Sequence, residues 1–331
     1  MSGGRSIGVA LVVMIAVGWP LVSPPAAQAA AGDITTFESA DIGVPLGIAA
    51  GPDDTVWFTD FERDLVGRIT TDGEITTFTH RRIDDPLDIS LGPDGSLWFT
   101  SAATDRVGRI TTDGEITTFT NGKIDGPAGI TAGPDGALWF TASDTRIGRI
   151  TTEGKVKTFT HRSIANPIDI TAGPDGALWF TNTDNDRIGR ITTRGRVKSF
   201  GDGEIDDLNL VTTGPDGALW FTSFGNNRIG RVTTDGDITL FTDDTIDGPV
   251  GITAGPDGAL WFTNETSNRI GRIAVDGTVT TYEDPMASVT TPRRITLGPD
   301  CNLWFSYVGG IGRVESGVTP DTAECPPPPP G

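Results

Sequence analysis

Two histidines occur in the chain, His80 and His161, in the similar segments Thr-His-Arg-Arg-Ile-Asp-Asp-Pro and Thr-His-Arg-Ser-Ile-Ala-Asn-Pro. An imidazole changes charge near neutrality, so these side chains suit acid–base chemistry. A second set stands out by breaking a pattern. Two residues after a recurring Pro (or Asp207), Gly is the default, as at Gly47, Gly129 and Gly251; Asp88, Asp169, Asn209 and Arg294 depart from it. Arg293 and Tyr307 join Arg294 in the last segment. Acids facing two Arg could bind a polar or zwitterionic ligand. The plainer expectation is a set of polar groups bonded to one another and to water. The run Asn182-Thr183-Asp184-Asn185-Asp186 suggests a calcium loop, but it lacks the terminal Glu, and turn-forming Asx residues account for it. No Ser-centred elbow, phosphate loop or metal-spaced His pair is present.

The elements that must position these residues are set by a repeat. Gly-Pro-Asp recurs with Gly at 51, 92, 133, 173, 214, 255 and 298, each time followed by Trp-Phe and then by Gly-Arg-Ile or Gly-Arg-Val. Residues 129–160 parse into four strands: Gly129–Ala132, Ala137–Thr141, Arg146–Thr151 and Lys155–Thr160. Pro-Asp-Gly and Glu-Gly mark tight turns between them. The unbroken Leu-Trp-Phe run requires a strand covered on both faces. Four strands per unit of about 41 residues predict an all-β, seven-bladed β-propeller, with an open solenoid as the alternative. The last unit lacks a fourth strand, and Asp33–Phe37 matches Glu74–Phe78. The N-terminal strand is therefore expected to close the last blade, which removes the free edges. Residues shared by every blade read as scaffold, so function belongs where blades differ. The two His lie two blades apart on outer linkers, roughly 30 Å from each other by strand spacing, and read as solvated loop residues.

The remainder of the chain bounds the setting. Net charge is −19, which disfavours nucleic acid as a partner. Seven Trp-Phe pairs exclude disorder. Residues 1–31 read as a signal peptide: Arg5 is the only charge, an apolar run spans Ile7 to Val22, and Ala27-Gln28-Ala29 offers a cleavage site. An uncleaved anchor is the alternative. Residues 32–317 form the propeller, and 318–331 a Pro-rich tail. In an exported protein Cys301 and Cys325 are expected to form a disulfide that tethers this tail.

The combined motif Gly-Ile-Thr, Gly-Pro-Asp-Gly, Leu-Trp-Phe-Thr, Arg-Ile-Gly-Arg-Ile-Thr resembles the streptogramin B (virginiamycin B) lyase family over about residues 33–316. The resemblance implies a seven-bladed propeller. It also implies elimination across the ester C–O bond of a cyclic depsipeptide, with magnesium polarising the ester and a His as general base. In the family a His follows the opening Pro in each of the last two blades; here Val250 and Arg293 hold those places. Leu46, Leu87, Ala128, Ile168 and Leu208 fill the same place elsewhere. The magnesium-binding Glu positions match Thr291 and Tyr307-Val308, which offer no carboxylate. The expectation is therefore a secreted, monomeric, diverged propeller without catalytic residues or cofactor, binding a small molecule or protein at the channel mouth. A magnesium-dependent lyase and an envelope-interaction protein are the alternatives.

Overall fold

The computed structural model describes Met1 and residues 31–318 apart from 53, 144 and 202. The expected leader, except Met1 and Ala31, and the tail, except Val318, lie outside the described residues. Among the described residues, twenty-eight strands form seven four-stranded antiparallel sheets. We number the blades by their inner strands: Pro45–Ala50, Pro86–Leu91, Ile130–Ala132, Pro167–Ala172, Leu208–Thr213, Pro249–Ala254 and Ile295–Leu297. In blades 1 to 6 the four strands follow chain order from inside to outside. Blade 7 is closed by Ile34–Glu38, which pairs with Gly310–Val314; Ile34 faces Val314 and Phe37 faces Ile311. Among the described residues no helix is long and apolar enough to cross a membrane.

The second strand of each blade is buried along its length because neighbouring blades cover both of its faces; Leu138–Ala142 is one example. The core is divided into seven inter-blade clusters. One joins Trp98 and Val107 of blade 2 to Ile130, Leu138 and Phe140 of blade 3. The closing cluster joins Trp304 and Ile311 of blade 7 to Ile48, Val56 and Phe58 of blade 1. Gly148 lies against the Phe140 ring so closely that a Cβ would overlap it, which is why Gly recurs in the third strand.

The repeated Asp, Trp and Arg form one module. In blade 3 Trp139 Nε1 donates to Asp135 Oδ1 (3.0 Å) and Arg149 Nε to Asp135 Oδ2 (2.7 Å). Trp139 stacks on Phe159 of the outer strand at 5.2 Å. The same stack crosses the ring closure, where Trp304 lies 5.3 Å from Phe37.

Among the described residues, a second module ties one blade to the next at six of the seven junctions. Thr141 Oγ1 accepts from Gly129 N of its own inner strand (2.8 Å) and donates to Ile168 O of blade 4 (3.2 Å). Ser306 does the same at closure, accepting from Arg294 N and donating to Leu46 O at 2.7 Å. Cys301 is fully buried with φ 63°, in the left-handed place that Gly95, Gly136 and Gly176 hold in blades 2 to 4. Its expected partner, Cys325, lies outside the described residues.

Candidate functional site

A β-bulge interrupts the inner strand of blades 1, 2, 4, 5 and 6 just after its first residue. In blade 2 Pro86 pairs with Ser101 but Ile89 with Phe99, so one extra residue is accommodated. Bulges re-aim side chains, and here the re-aimed residue is the one that varies: Gly47, Asp88, Gly129, Asp169, Gly251 and Arg294. Three of the Gly are required by close approach. A Cβ on Gly47 would sit 2.7 Å from Asp88 Cα, and one on Gly129 would sit 2.8 Å from Asp169 Cα. A Cβ on Gly251 would overlap the Arg293 carbonyl oxygen. Each Gly thus precedes a blade that carries a charged residue.

Asp88, Asp169 and Arg294 meet in the axial channel. Arg294 Nη1 lies 3.3 Å from Asp88 Oδ1 and 3.1 Å from Asp169 Oδ1. The other carboxylate oxygens accept backbone N–H groups one blade further on, from Ile130 (2.9 Å) and Val211 (2.9 Å). Burial pushes the Asp88 carboxyl up to about 6 against the pull of Arg294. The flanking acids hold the Arg294 guanidinium above its ordinary value despite its burial. The channel beside this triad is a cavity of about 200 Å³ lined by all seven inner strands.

Asn209 does not join the triad. Leu208 pairs with Ser223 as Pro45 pairs with Asp60, and Leu210 N donates to Thr222 Oγ1 as Gly47 N does to Thr59 Oγ1. Leu210 therefore occupies the variable slot of blade 5, and Asn209 the slot shared by Val250 and Arg293. Leu208 stands where the other blades have Pro. Tyr307 is 1% exposed, and its hydroxyl donates to Glu38 Oε1 at 3.5 Å across the closing sheet. Burial, with the Glu38 charge, pushes its phenol up to about 12.

The rim over blades 6 and 7 carries Arg293, whose Nη1 lies 3.2 Å from Glu265 Oε2. Beside it Thr291 adopts φ 45°, and its N–H donates to Asn268 Oδ1 at 2.7 Å. Exposed apolar side chains lie on the loops of this side: Phe61 on the second-to-third-strand loop of blade 1, Val308 on that of blade 7, and Met286 on the linker entering blade 7. Glu265 was not apparent from sequence, since the loop after the blade 6 second strand brings it to Arg293 from 28 positions away.

Both His act as turn caps. His80 Nδ1 accepts from Arg82 N (3.3 Å) and His161 Nδ1 from Ser163 N (3.2 Å). Asn121 and Asp243 do the same in other linkers. In the Asp-rich run, Asn182 Oδ1 accepts from Ala165 N and Asp186 Oδ1 from Asp207 N. Asp64, Asp84 and Asp85 bring carboxylate oxygens within 4.8 Å of one another, but Asp64 Oδ1 makes the turn bond to Asp85 N that Asp105 makes to Gly126 N.

The profile of the virginiamycin B lyase family matches residues 27–162, 84–241 and 165–327. The chain belongs to the virginiamycin B lyase family. A streptogramin B lyase structure is 33% identical with a TM-score of 0.80, covering 85% of this chain and 97% of that one. A catalytically inactive histidine-to-alanine variant of virginiamycin B lyase from Staphylococcus aureus, solved with quinupristin, is 34% identical with a TM-score of 0.80, covering 86% and 99%. The WD40 propeller domain of Doa1, at 12% identity and TM-score 0.69, covering 86% and 96%, shares the fold alone. No curated protein matches the chain.

The magnesium that the family implies does not fit the donor set of this rim. Thr291, Tyr307 and Val308 stand at the family's magnesium-binding positions and carry no carboxylate, and Glu265 is paired with a guanidinium. Magnesium favours carboxylate oxygens not already matched by a cation.

Proposed function

We propose that this member of the virginiamycin B lyase family is an exported, non-catalytic binding protein that engages a polar or zwitterionic ligand at the blade 6–7 rim. The carrying observation is Arg293, which holds the place of the family's last His and whose guanidinium is paired with Glu265 at 3.2 Å. Elimination needs a base to remove a proton as the ester C–O bond breaks. Val250 has no such group, an Arg stays protonated, and both His are caps on outer turns. That a single histidine replacement is named with loss of catalysis in a relative supports this reading. An ion pair at 3.2 Å presents both signs of charge, and Val308 and Met286 are exposed apolar side chains on the loops of blade 7 and of the linker entering it. The axial cavity, at about 200 Å³, falls below the range for drug-sized ligands.

The test is to preincubate quinupristin with the mature protein and magnesium and then measure the remaining antibacterial activity. Full retention is expected. Loss of activity that a chelator prevents would establish the lyase reading, which the 33–34% identity to streptogramin lyases favours.

A further inference from the structure

The axial channel holds more polar groups than its ion triad uses. With both carboxylates ionised, Asp88, Asp169 and Arg294 sum to one negative charge, enclosed by seven inner strands. A buried charge without a partner is costly. Beside the triad, six of the seven inner strands contribute a hydroxyl at one common position: Ser90, Thr131, Thr171, Thr212, Thr253 and Thr296. Thr131 is 2% exposed, and its Oγ1 has no hydrogen-bond partner among the described residues although it lines the cavity. The charge and the unmatched oxygen call for the same kind of ligand, a cation that takes oxygen donors. The guanidinium touching both carboxylates argues against a divalent ion, which prefers several unshared carboxylates. The cavity of about 200 Å³ has room for an ion with a few waters.

We propose that the axial channel binds one compact monovalent cation, an alkali-metal ion or ammonium, between the Asp88 and Asp169 carboxylates and the ring of Ser and Thr hydroxyls. The groups facing Asp88 are Arg294, Asp169 and the N–H groups of Ile89 and Ile130. Burial raises its carboxyl into the mildly acidic range, so a proton supplies the missing positive charge at low pH. Proton and cation therefore compete.

The experiment is thermal melting at constant ionic strength, exchanging choline chloride for potassium, sodium or ammonium chloride, at pH 8 and pH 5. At pH 8 a compact cation is expected to raise the melting temperature by about 2–4 °C, saturating with concentration. The increment should vanish at pH 5 and in Asp88→Asn. In Thr131→Val, which changes no charge and serves if Asp88→Asn does not fold, half-saturation should need several-fold more cation. Equal melting temperatures in choline and in all three compact cations at pH 8 would overturn the proposal. So would an increment that survives Asp88→Asn, or one with unchanged half-saturation in Thr131→Val.

Discussion

Thr291 is the residue under most evident backbone strain on the rim. Its φ of 45° is the left-handed region, which costs a β-branched residue about 1–2 kcal/mol. The equivalent places hold Gly126 and Gly248 in blades 3 and 6. Thr291→Gly is expected to stabilise the protein by about 1 kcal/mol in chemical denaturation, with Arg293 left in place. Asp88 is the second residue with a measurable signature. Its folded pKa is raised by burial to about 6, so the folded protein holds this proton more tightly than the unfolded chain. Its contribution is full below about pH 4 and is lost as pH rises through about 6. In choline buffers the wild type should lose on the order of 1–3 kcal/mol across that window relative to Asp88→Asn. The sequence singled out Asp88, Asp169 and Arg294 because Gly was the local default. It could not show that they touch, since Arg294 and Asp169 are 125 positions apart. Asn209 was assigned to this set by counting from Asp207, one residue early. Counting back from Gly214 places Leu210 there, because the Gly-Pro-Asp turn keeps its spacing while the blade 5 linker has lost its Pro.

Within a blade, the Trp–Asp–Arg module and the bridging Thr convert a short motif into stability. Burial alone would raise the carboxyls of Asp94, Asp175 and Asp216, but bonds from Trp and Arg outweigh it and hold them below the ordinary range. A lowered carboxyl stabilises the fold above about pH 4 and loses that effect as pH falls through the folded value. Asp175→Asn should therefore destabilise at pH 7 and approach wild type near pH 2 in a denaturation series. Thr141→Val removes one donor and one acceptor from a buried joint between blades. The cost should be about 1–3 kcal/mol, compared with little change for an exposed outer-strand Thr such as Thr117. The strands themselves were legible because turn residues punctuate every unit. The bridge was not, since Thr also suits any strand, and only the inter-blade distance gives its hydroxyl a second partner.

For the whole molecule, closure by Ile34–Glu38 is what turns seven sheets into a ring. Deleting residues 31–38 would bare the Gly310–Val314 edge and remove Phe37 from Trp304. Self-association by chromatography and a lower melting temperature are expected. This closure was readable from an unpaired strand at one end of the repeat and a missing one at the other. Function was less readable, because the rim over blades 6 and 7 is assembled from loops whose partners, such as Glu265 and Arg293, meet only in the folded ring. The most direct test of the binding reading is a stoichiometric reaction. Protein in excess over quinupristin, with magnesium, is followed by liquid chromatography and mass spectrometry for the linear isomer of unchanged mass. The account predicts no more linear product than in buffer, even at long times. Accumulation of that isomer, stopped by a chelator, would contradict it.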